Sequence, residues 1–215
     1  MTNMNPAAAY VAYASTVSAA LTDRNPDLTD VAQARRRAET ITAARATLRA
    51  AIPATPEASG ARQALLAARA PKTADDVALF AREREKVAAL VAAGHPIAEI
   101  VGEASELRVA ALADDLEVSR ALDSFEAAGL EDALVARLID LGAVDAVEAE
   151  AEHSRSLTAS AWSGILGAAA DGQDIDVADW NQVFQSDHDG YAVTLGAGVV
   201  FDSQAVNRAA TPPQA

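Results

Sequence analysis

The chain has 215 residues, a formal net charge of −14 and no cysteine. Its length allows a sizeable hydrophobic core, and the lack of cysteine excludes disulfides and thiolate chemistry. No run of about 18 apolar residues free of charge is present to form a transmembrane helix. We therefore expect a soluble protein, cytoplasmic or part of a virion, that does not contact a membrane.

Large apolar side chains are scarce in this sequence. Aromatic residues make up 4% of the chain, and about a quarter of the residues are alanine, which favours helices that approach one another closely. The composition and the periodicity together predict a mainly α protein. We expect an elongated multi-helix bundle with a long central helix and a small C-terminal β-hairpin.

Helix start signals and proline stops divide the chain into four predicted regions. Asn5-Pro6 and Asn25-Pro26 each pair a capping residue with a first-turn proline, Thr73 with Asp76 resembles a capping box, and Asp176 is the predicted cap of a short helix. The regions are an N-terminal helical arm (1–22), a basic helix with a Pro-rich linker and a short helix (23–72), an acidic helical body (73–170), and a C-terminal short helix, β-hairpin and flexible tail (171–215).

The long central helix is predicted over residues 96–128. Pro96 suits its first turn, apolar residues recur at helical spacing along it, and Gly129 would end it. Asp114 interrupts the apolar stripe, and an unpaired carboxylate costs too much to bury. The helix is therefore kinked at Asp114, or exposed to solvent in its middle, or Asp114 pairs with an arginine of another helix, for which we predict one of the basic helix. The candidates are Arg35, Arg36, Arg37 and Arg45.

Beyond residue 170 alanine becomes less frequent and aromatic residues more frequent. Residues 191–195 and 199–201 read as two strands joined by a Gly-Ala-Gly turn. Because an isolated hairpin is marginal in water, it would pack on the helices or add to a neighbouring subunit. Its predicted contact residues are Tyr191, Val193, Leu195, Val199 and Phe201.

Charge is distributed unevenly along the chain. Residues 23–72 carry nine of the 17 basic residues and five of the 31 acidic ones, a net charge of +4, whereas residues 73–215 carry the remaining 8 and 26, a net charge of −18. The basic helix either packs on the acidic part of its own chain or of another copy, or binds an external polyanion. Nucleic acid is not expected as a partner, because the acidic protein as a whole would be repelled.

Residues with catalytic or metal-binding chemistry form no complete motif. Glu150 and His153 match half of a di-iron motif whose second copy is missing. The segment 187–190 lacks the ligands of a calcium loop, and its Asp-Gly pair favours a turn. An enzyme site or weak cation site among the acids of residues 171–189 is the alternative. We expect no catalytic residue, no cofactor and no metal.

The alanine-rich, cysteine-free, acidic composition resembles that of virion or assembly proteins of phages that infect high-GC bacteria. This resemblance implies a non-enzymatic structural or assembly protein, such as a phage virion protein, that acts through self-association or by docking on a larger particle. Its partners would be proteins, namely itself or other components of an assembly. The alternative is a monomeric helical adaptor or regulator that binds one protein partner.

Overall fold

The computed structural model describes residues 5–54, 60–120, 124–198 and 202–211, with side chains except those of residues 117–127. Every regular element in these ranges is an α-helix, so the mainly α class is confirmed. The helices are α1 (Pro6–Thr22), α2 (Asp30–Ala50), α3 (Ala61–Ala67), α4 (Ala74–Ala92), α5 (Ile97–Gly102), α6 (Glu106–Arg120), α7 (Ser124–Asp140), α8 (Val144–Asp171), α9 (Val177–Ser186), α10 (His188–Gly196) and α11 (Ser203–Ala210).

Three predicted helix starts are confirmed and one is wrong. The Asn5 side chain accepts N–H groups at the start of α1, and capping boxes begin both α4 and α9. The start predicted at Asn25-Pro26 is wrong, because α2 begins at Asp30 with Thr29 as its N-cap. The Thr29 hydroxyl accepts the N–H of the third helical residue, and this later cap sets the boundary.

The predicted β-hairpin is wrong. Its first strand lies in α10, where Tyr191 is half-buried and Thr194, three residues later, is buried on the same side of the helix. The pattern of a short apolar run does not distinguish a strand from a helix. Here the N-cap at Asp187 favours the helix. Val199 and Phe201, in the predicted second strand, lie outside the described residues.

The long central helix predicted over residues 96–128 is also wrong. α5 ends at Gly102, and α6 begins at Glu106. Between them, the Ser105 side chain accepts the N–H of Arg108, a new N-cap. Glycine destabilises a helix interior, and Gly102 is followed three residues later by the cap residue Ser105. The chain therefore ends α5 and starts a second helix. Gly129, the predicted stop, lies within α7.

The chain forms two compact units. Unit 1 consists of residues 1–57 and 156–215, and unit 2 of residues 58–155. The core of unit 1 lies among α1, α2, the last part of α8 and the C-terminal helices. Its largest fully buried side chains are Trp162, Ile41, Leu48, Ile165, Leu166 and Val183.

Unit 2 has a separate core of aliphatic side chains. α6 packs on α7 and α4, and α5 packs on α7. The side chains that are fully buried there are Leu116, Leu134, Leu138, Val101, Val109 and Val135. Because each of these branched side chains is worth about 1.5–3 kcal/mol when buried, this cluster is the main apolar contribution to unit 2.

Arginine side chains join the helices of unit 2. The Arg62 guanidinium makes a two-point contact with Glu150, with N–O distances of 2.7 and 2.8 Å, and also pairs with Asp132. Arg84 pairs with Asp114 at 2.7 Å. The predicted link from Asp114 to the basic helix is therefore wrong, although the expectation that an arginine would satisfy this carboxylate is confirmed. Arg84 reaches Asp114 because α4 packs on α6.

Candidate functional site

An aromatic cluster centred on Trp180 lies in unit 1. Trp180 makes edge-to-face contacts with three rings, at centroid distances of 5.3 Å to Tyr10, 6.5 Å to Trp162 and 6.0 Å to Tyr191. Phe184 extends the cluster by contacting Tyr191 at 5.3 Å. These residues come from α1, α8, α9 and α10, so the cluster forms only when all four helices pack together. In a chain with few aromatic residues, this is a marked local concentration.

Asp187 holds the cluster and α10 together. One of its carboxylate oxygens accepts the indole N–H of Trp162 at 2.8 Å, and the other accepts the backbone N–H of Gly190 at 2.9 Å. The carboxylate therefore caps α10 while it orients the buried indole. The predicted Asp-Gly turn at residues 189–190 is wrong, because Asp187 makes these residues the first turn of a helix.

Glycine is required at position 190 because its α-carbon faces the Asp187 carboxylate. A methyl group there would overlap the Asp187 carboxylate and approach the Trp162 ring within 3.0 Å. We expect Gly190→Ala to lower the free energy of unfolding by about 1–3 kcal/mol, the usual cost of overpacking. Thermal and urea unfolding followed by circular dichroism would measure this change. Gly196→Ala is the matched control, because a methyl group at the other end of α10 meets no atom within 4 Å.

A groove of about 390 Å³ opens beside the aromatic cluster, between α1, α9 and α10. We call it the aromatic groove. Its lining residues are Tyr10, Asp174, Ile175, Val177, Trp180, Asn181, Tyr191, Thr194 and Leu195. Polar and apolar atoms contribute about equally to its surface, so a ligand there would need hydrogen-bonding groups as well as apolar ones.

The aromatic residues of the groove offer unused hydrogen-bonding groups. The Tyr10 hydroxyl, the Trp180 indole N–H and the Tyr191 hydroxyl form no hydrogen bond within the described residues. Among the described residues, the fully buried side-chain polar atoms without a hydrogen-bond partner are the Nε atoms of Arg45 and Arg69. The three groove atoms are not among these buried atoms, so they remain accessible to solvent. Burial, together with the neighbouring Tyr13, raises the pKa of Tyr10 to about 12. Tyr10 therefore remains a hydrogen-bond donor at neutral pH.

Large apolar side chains stay exposed in and beside the groove. Val177 is 76% exposed and Leu195 63% exposed, and both line it. Phe184, which contacts Tyr191, is 46% exposed, whereas Val193, 52% exposed, does not line the groove. Clustered exposed apolar side chains with polar neighbours are typical of protein contact surfaces.

Negative charge surrounds the groove without positive counterparts. Residues 171–215 contain seven aspartates and one basic residue, Arg208. Among the described residues, Asp171 is the only one of these aspartates in an ion pair, with Arg49 at 2.8 Å. Asp174 lines the groove, and Asp176 and Asp179 lie at the start of α9. The field at this surface favours a cationic partner.

The predicted basic contact residues fall into two groups, those that contact other parts of unit 1 and those that remain exposed. Arg37 donates to the Ala20 carbonyl at 3.0 Å, and Arg45 donates to Asn207 at 2.6 Å, so both hold unit 1 together. Arg36 makes only a long contact of 3.6 Å with Asp23, both side chains being about half exposed. Arg35 is exposed and forms no ion pair or hydrogen bond within the described residues.

The other predicted contact residues are separated by the fold. Tyr191, Val193 and Leu195 all lie on α10, and Tyr191 and Leu195 line the aromatic groove. Asp114 lies in unit 2, in its pair with Arg84. Sequence reasoning did not identify Tyr10 and Trp180 as groove residues. The rise in aromatic content after residue 160 was the available signal for Trp180, but nothing local to α1 indicated that Tyr10 would join it.

The side chains able to bind a metal are dispersed in the described part of the chain. No group of three or more His, Asp or Glu side chains there is placed to hold a metal ion. The His188 ring contacts the Phe184 ring edge to face at a centroid distance of 4.9 Å, and His95 lies 4.0 Å from Glu99 at an exposed helix start. Both histidines therefore have structural neighbours typical of surface residues.

No protein-family model, curated protein or solved structure matches this chain. Within the described ranges, none of the helices combines the length and the apolar character that crossing a membrane requires.

Proposed function

We propose that this protein is a non-enzymatic assembly protein that acts through self-association or by docking on a larger particle, with the aromatic groove as its contact surface. The observation that carries this proposal is the exposure of Val177 and Leu195 in a groove lined by aromatic rings, with the exposed Phe184 in contact with Tyr191. Tyrosine and tryptophan in such a setting are the residues that most often dominate protein contacts. The composition favours a phage virion among the particles on which it would dock.

The partner chemistry follows from the groove and its surroundings. Apolar side chains of a partner would cover the rim, and its basic side chains would face the unpaired aspartates. Arginine fits this role best, since a guanidinium pairs with carboxylates and also stacks on aromatic faces. A monomeric helical adaptor that binds one basic partner would use the same groove, and the oligomeric state separates the two proposals.

Replacement of Leu195 tests the proposed contact surface. Because Leu195 is 63% exposed, we expect Leu195→Asp to leave the fold intact. Loss of a central apolar contact typically costs at least about 2 kcal/mol of binding, or about 30-fold in the dissociation constant. Native mass spectrometry and light scattering across a dilution series would measure the change in self-association.

Val144→Asp is the matched control, because Val144 is 71% exposed and lies in unit 2. It is expected to associate like the unmodified protein. Equal association of all three proteins would rule out the groove as the contact surface. If the unmodified protein is monomeric at every concentration, the result would favour the monomeric adaptor over self-association.

A further inference from the structure

A second surface of unit 1 has the opposite charge to the aromatic groove. A cleft of about 700 Å³ lies where the end of α1 meets the start of α2. Its charged lining residues are Arg24, Arg36 and Arg37 with one acid, Asp23, and we call it the arginine cleft. Arg24 has no ion pair or hydrogen bond within the described residues, and Arg36 has only its long contact with Asp23. Arg37 is held in place through its Nε atom by the Ala20 carbonyl.

The neighbourhood of the cleft adds one arginine, three exposed acids (Asp27, Asp30 and Glu39) and an exposed aliphatic side chain. Arg35 follows on α2 as an exposed residue without a partner in the described residues, and Val31, one helical turn before it, is 57% exposed. The N-terminal half of α2 therefore combines unpaired positive charge with an exposed aliphatic side chain. Among the described residues, the aromatic groove has no positive charge of its own, and its exposed Val177 and Leu195 favour an aliphatic side chain on the partner.

The groove and the cleft lie in different places on one copy. Tyr10 lines the groove and Ala20 lines the cleft, ten residues apart on α1, a rise of about 15 Å. α2 packs mainly on α1 and α11, whereas the groove is formed by α1, α9 and α10. Since an ion pair requires contact within about 4 Å, the free arginines and the unpaired aspartates do not neutralise each other within unit 1.

We propose that the aromatic groove of one copy binds the arginine cleft of a second copy, so that the protein self-associates head to tail. This inference rests on the proposed assembly function and specifies its partner. Arginines of the cleft face the aspartates of α9 and stack on the groove aromatics, and Val31 covers part of the exposed apolar rim. Two different surfaces on each copy make the contact heterologous, which generates a closed ring or a filament.

A complementation experiment tests this arrangement. The cleft variant is Arg24→Glu with Arg36→Glu, two exposed arginines, and the groove variant is Leu195→Asp. We expect the cleft variant alone to associate at least about 100-fold more weakly, because the reversed charges face the aspartates of the groove. The groove variant alone should likewise be monomeric at concentrations where the unmodified protein is oligomeric.

An equimolar mixture of the two variants is expected to form a 1:1 dimer. The cleft variant keeps its groove and the groove variant keeps its cleft, so one intact contact remains. Native mass spectrometry identifies this dimer if one variant is isotope-labelled. Dissociation of the dimer should increase between about 0.1 M and 1 M salt, where the screening length falls from about 10 Å to 3 Å.

Other outcomes overturn the proposal or its basis separately. If the cleft variant associates normally while the groove variant does not, the contact is between two grooves or with another surface, and the head-to-tail arrangement is wrong although the groove function stands. If both variants are monomeric and the mixture is too, head-to-tail pairing is also wrong. Normal association of the groove variant contradicts the proposed function itself.

Two controls keep these outcomes interpretable. Arg82→Glu reverses an exposed arginine of unit 2 that has no partner among the described residues, and it is expected to associate normally. Circular dichroism and thermal unfolding of each variant check that its fold is retained. Binding of heparin by the cleft in place of a second copy, with no self-association of the unmodified protein, would assign the cleft to an external polyanion and overturn the proposal.

Discussion

Trp162→Ala is expected to lower the free energy of unfolding of unit 1 by about 3–5 kcal/mol, the range typical for removal of a large buried aromatic side chain. Trp162 is fully buried, contacts Trp180 edge to face, and donates its indole N–H to Asp187. The change would therefore leave a cavity and also remove the donor that satisfies a half-buried carboxylate. The N-cap of α10 depends on that carboxylate, so the aromatic groove should be disturbed as well.

Hydrogen exchange measured peptide by peptide would locate this loss. Amides of α1, α9 and α10 should exchange faster, while amides in the core of unit 2 should change little. Trp180 would be the only remaining tryptophan, so its fluorescence reports on the groove directly. Trp162→Phe keeps most of the ring and removes only the N–H, and we expect it to cost less than the alanine change. A loss below about 1 kcal/mol for Trp162→Ala would contradict the central role of this side chain.

Arg108→Ala is expected to have the largest effect among the ion pairs of unit 2. Arg108 donates to Glu83 at 3.1 Å, and the Glu83 side chain is only 10% exposed. Removal of one partner from a buried pair typically costs about 3–5 kcal/mol because the other charge stays buried. Lys86 also pairs with Glu83, so we expect a value near the lower end of that range. Urea unfolding would measure it, with Arg82→Ala on the exposed side of α4 as the control.

Acid should destabilise unit 2 through the same carboxylate. The hydrogen bond from Lys86, and after it the contact with Arg108, hold the pKa of Glu83 below its usual value, although burial acts in the opposite direction. The charged form is thus favoured in the folded state. Its contribution is complete above the pKa of an unfolded glutamate, about 4.3, and is lost as the pH falls through the lower folded-state pKa.

We therefore expect the unmodified protein to lose stability below about pH 4.3 and Glu83→Gln to lose less over the same interval. Urea midpoints measured between neutral and acid pH would test this. The pKa values of Asp76 and Asp145 are lowered as well, by the Thr73 and Arg69 side chains respectively, so the variant should retain part of the acid dependence. Identical pH profiles for the two proteins would exclude a contribution from Glu83.

Local signals in the sequence predicted much of the helical architecture. The caps at Asn5, Thr73 and Asp176 mark helix starts because each side chain satisfies N–H groups within its own first turn. Such bonds depend only on residues three or four positions apart, so they can be recognised without a structure. The failure at residues 96–128 has the same origin, because the cap at Ser105 was hidden inside an apolar stripe that continues at helical spacing on either side.

Sequence patterns did not predict the tertiary contacts. Asp114 was recognised as needing an arginine, but the choice of Arg84 depends on how α4 packs against α6. The groove likewise combines Tyr10 with residues about 170 positions later in the chain. The strands predicted for residues 191–195 failed because alternation over five residues carries little information, whereas one carboxylate at Asp187 commits the segment to a helix.

The division of unit 1 into two distant segments determines the order in which the protein can fold during synthesis. Tyr13 on α1 donates to the Ala169 carbonyl, 156 residues later, and Arg49 donates to Ala170. Unit 2 lies entirely between these segments, so a ribosome completes it first. Domains generally fold in the order in which they are synthesised. The apolar face of α1 therefore stays partly uncovered until the last quarter of the chain has been made. A nascent chain stopped before α8 is complete would expose that face and become a natural target for chaperones.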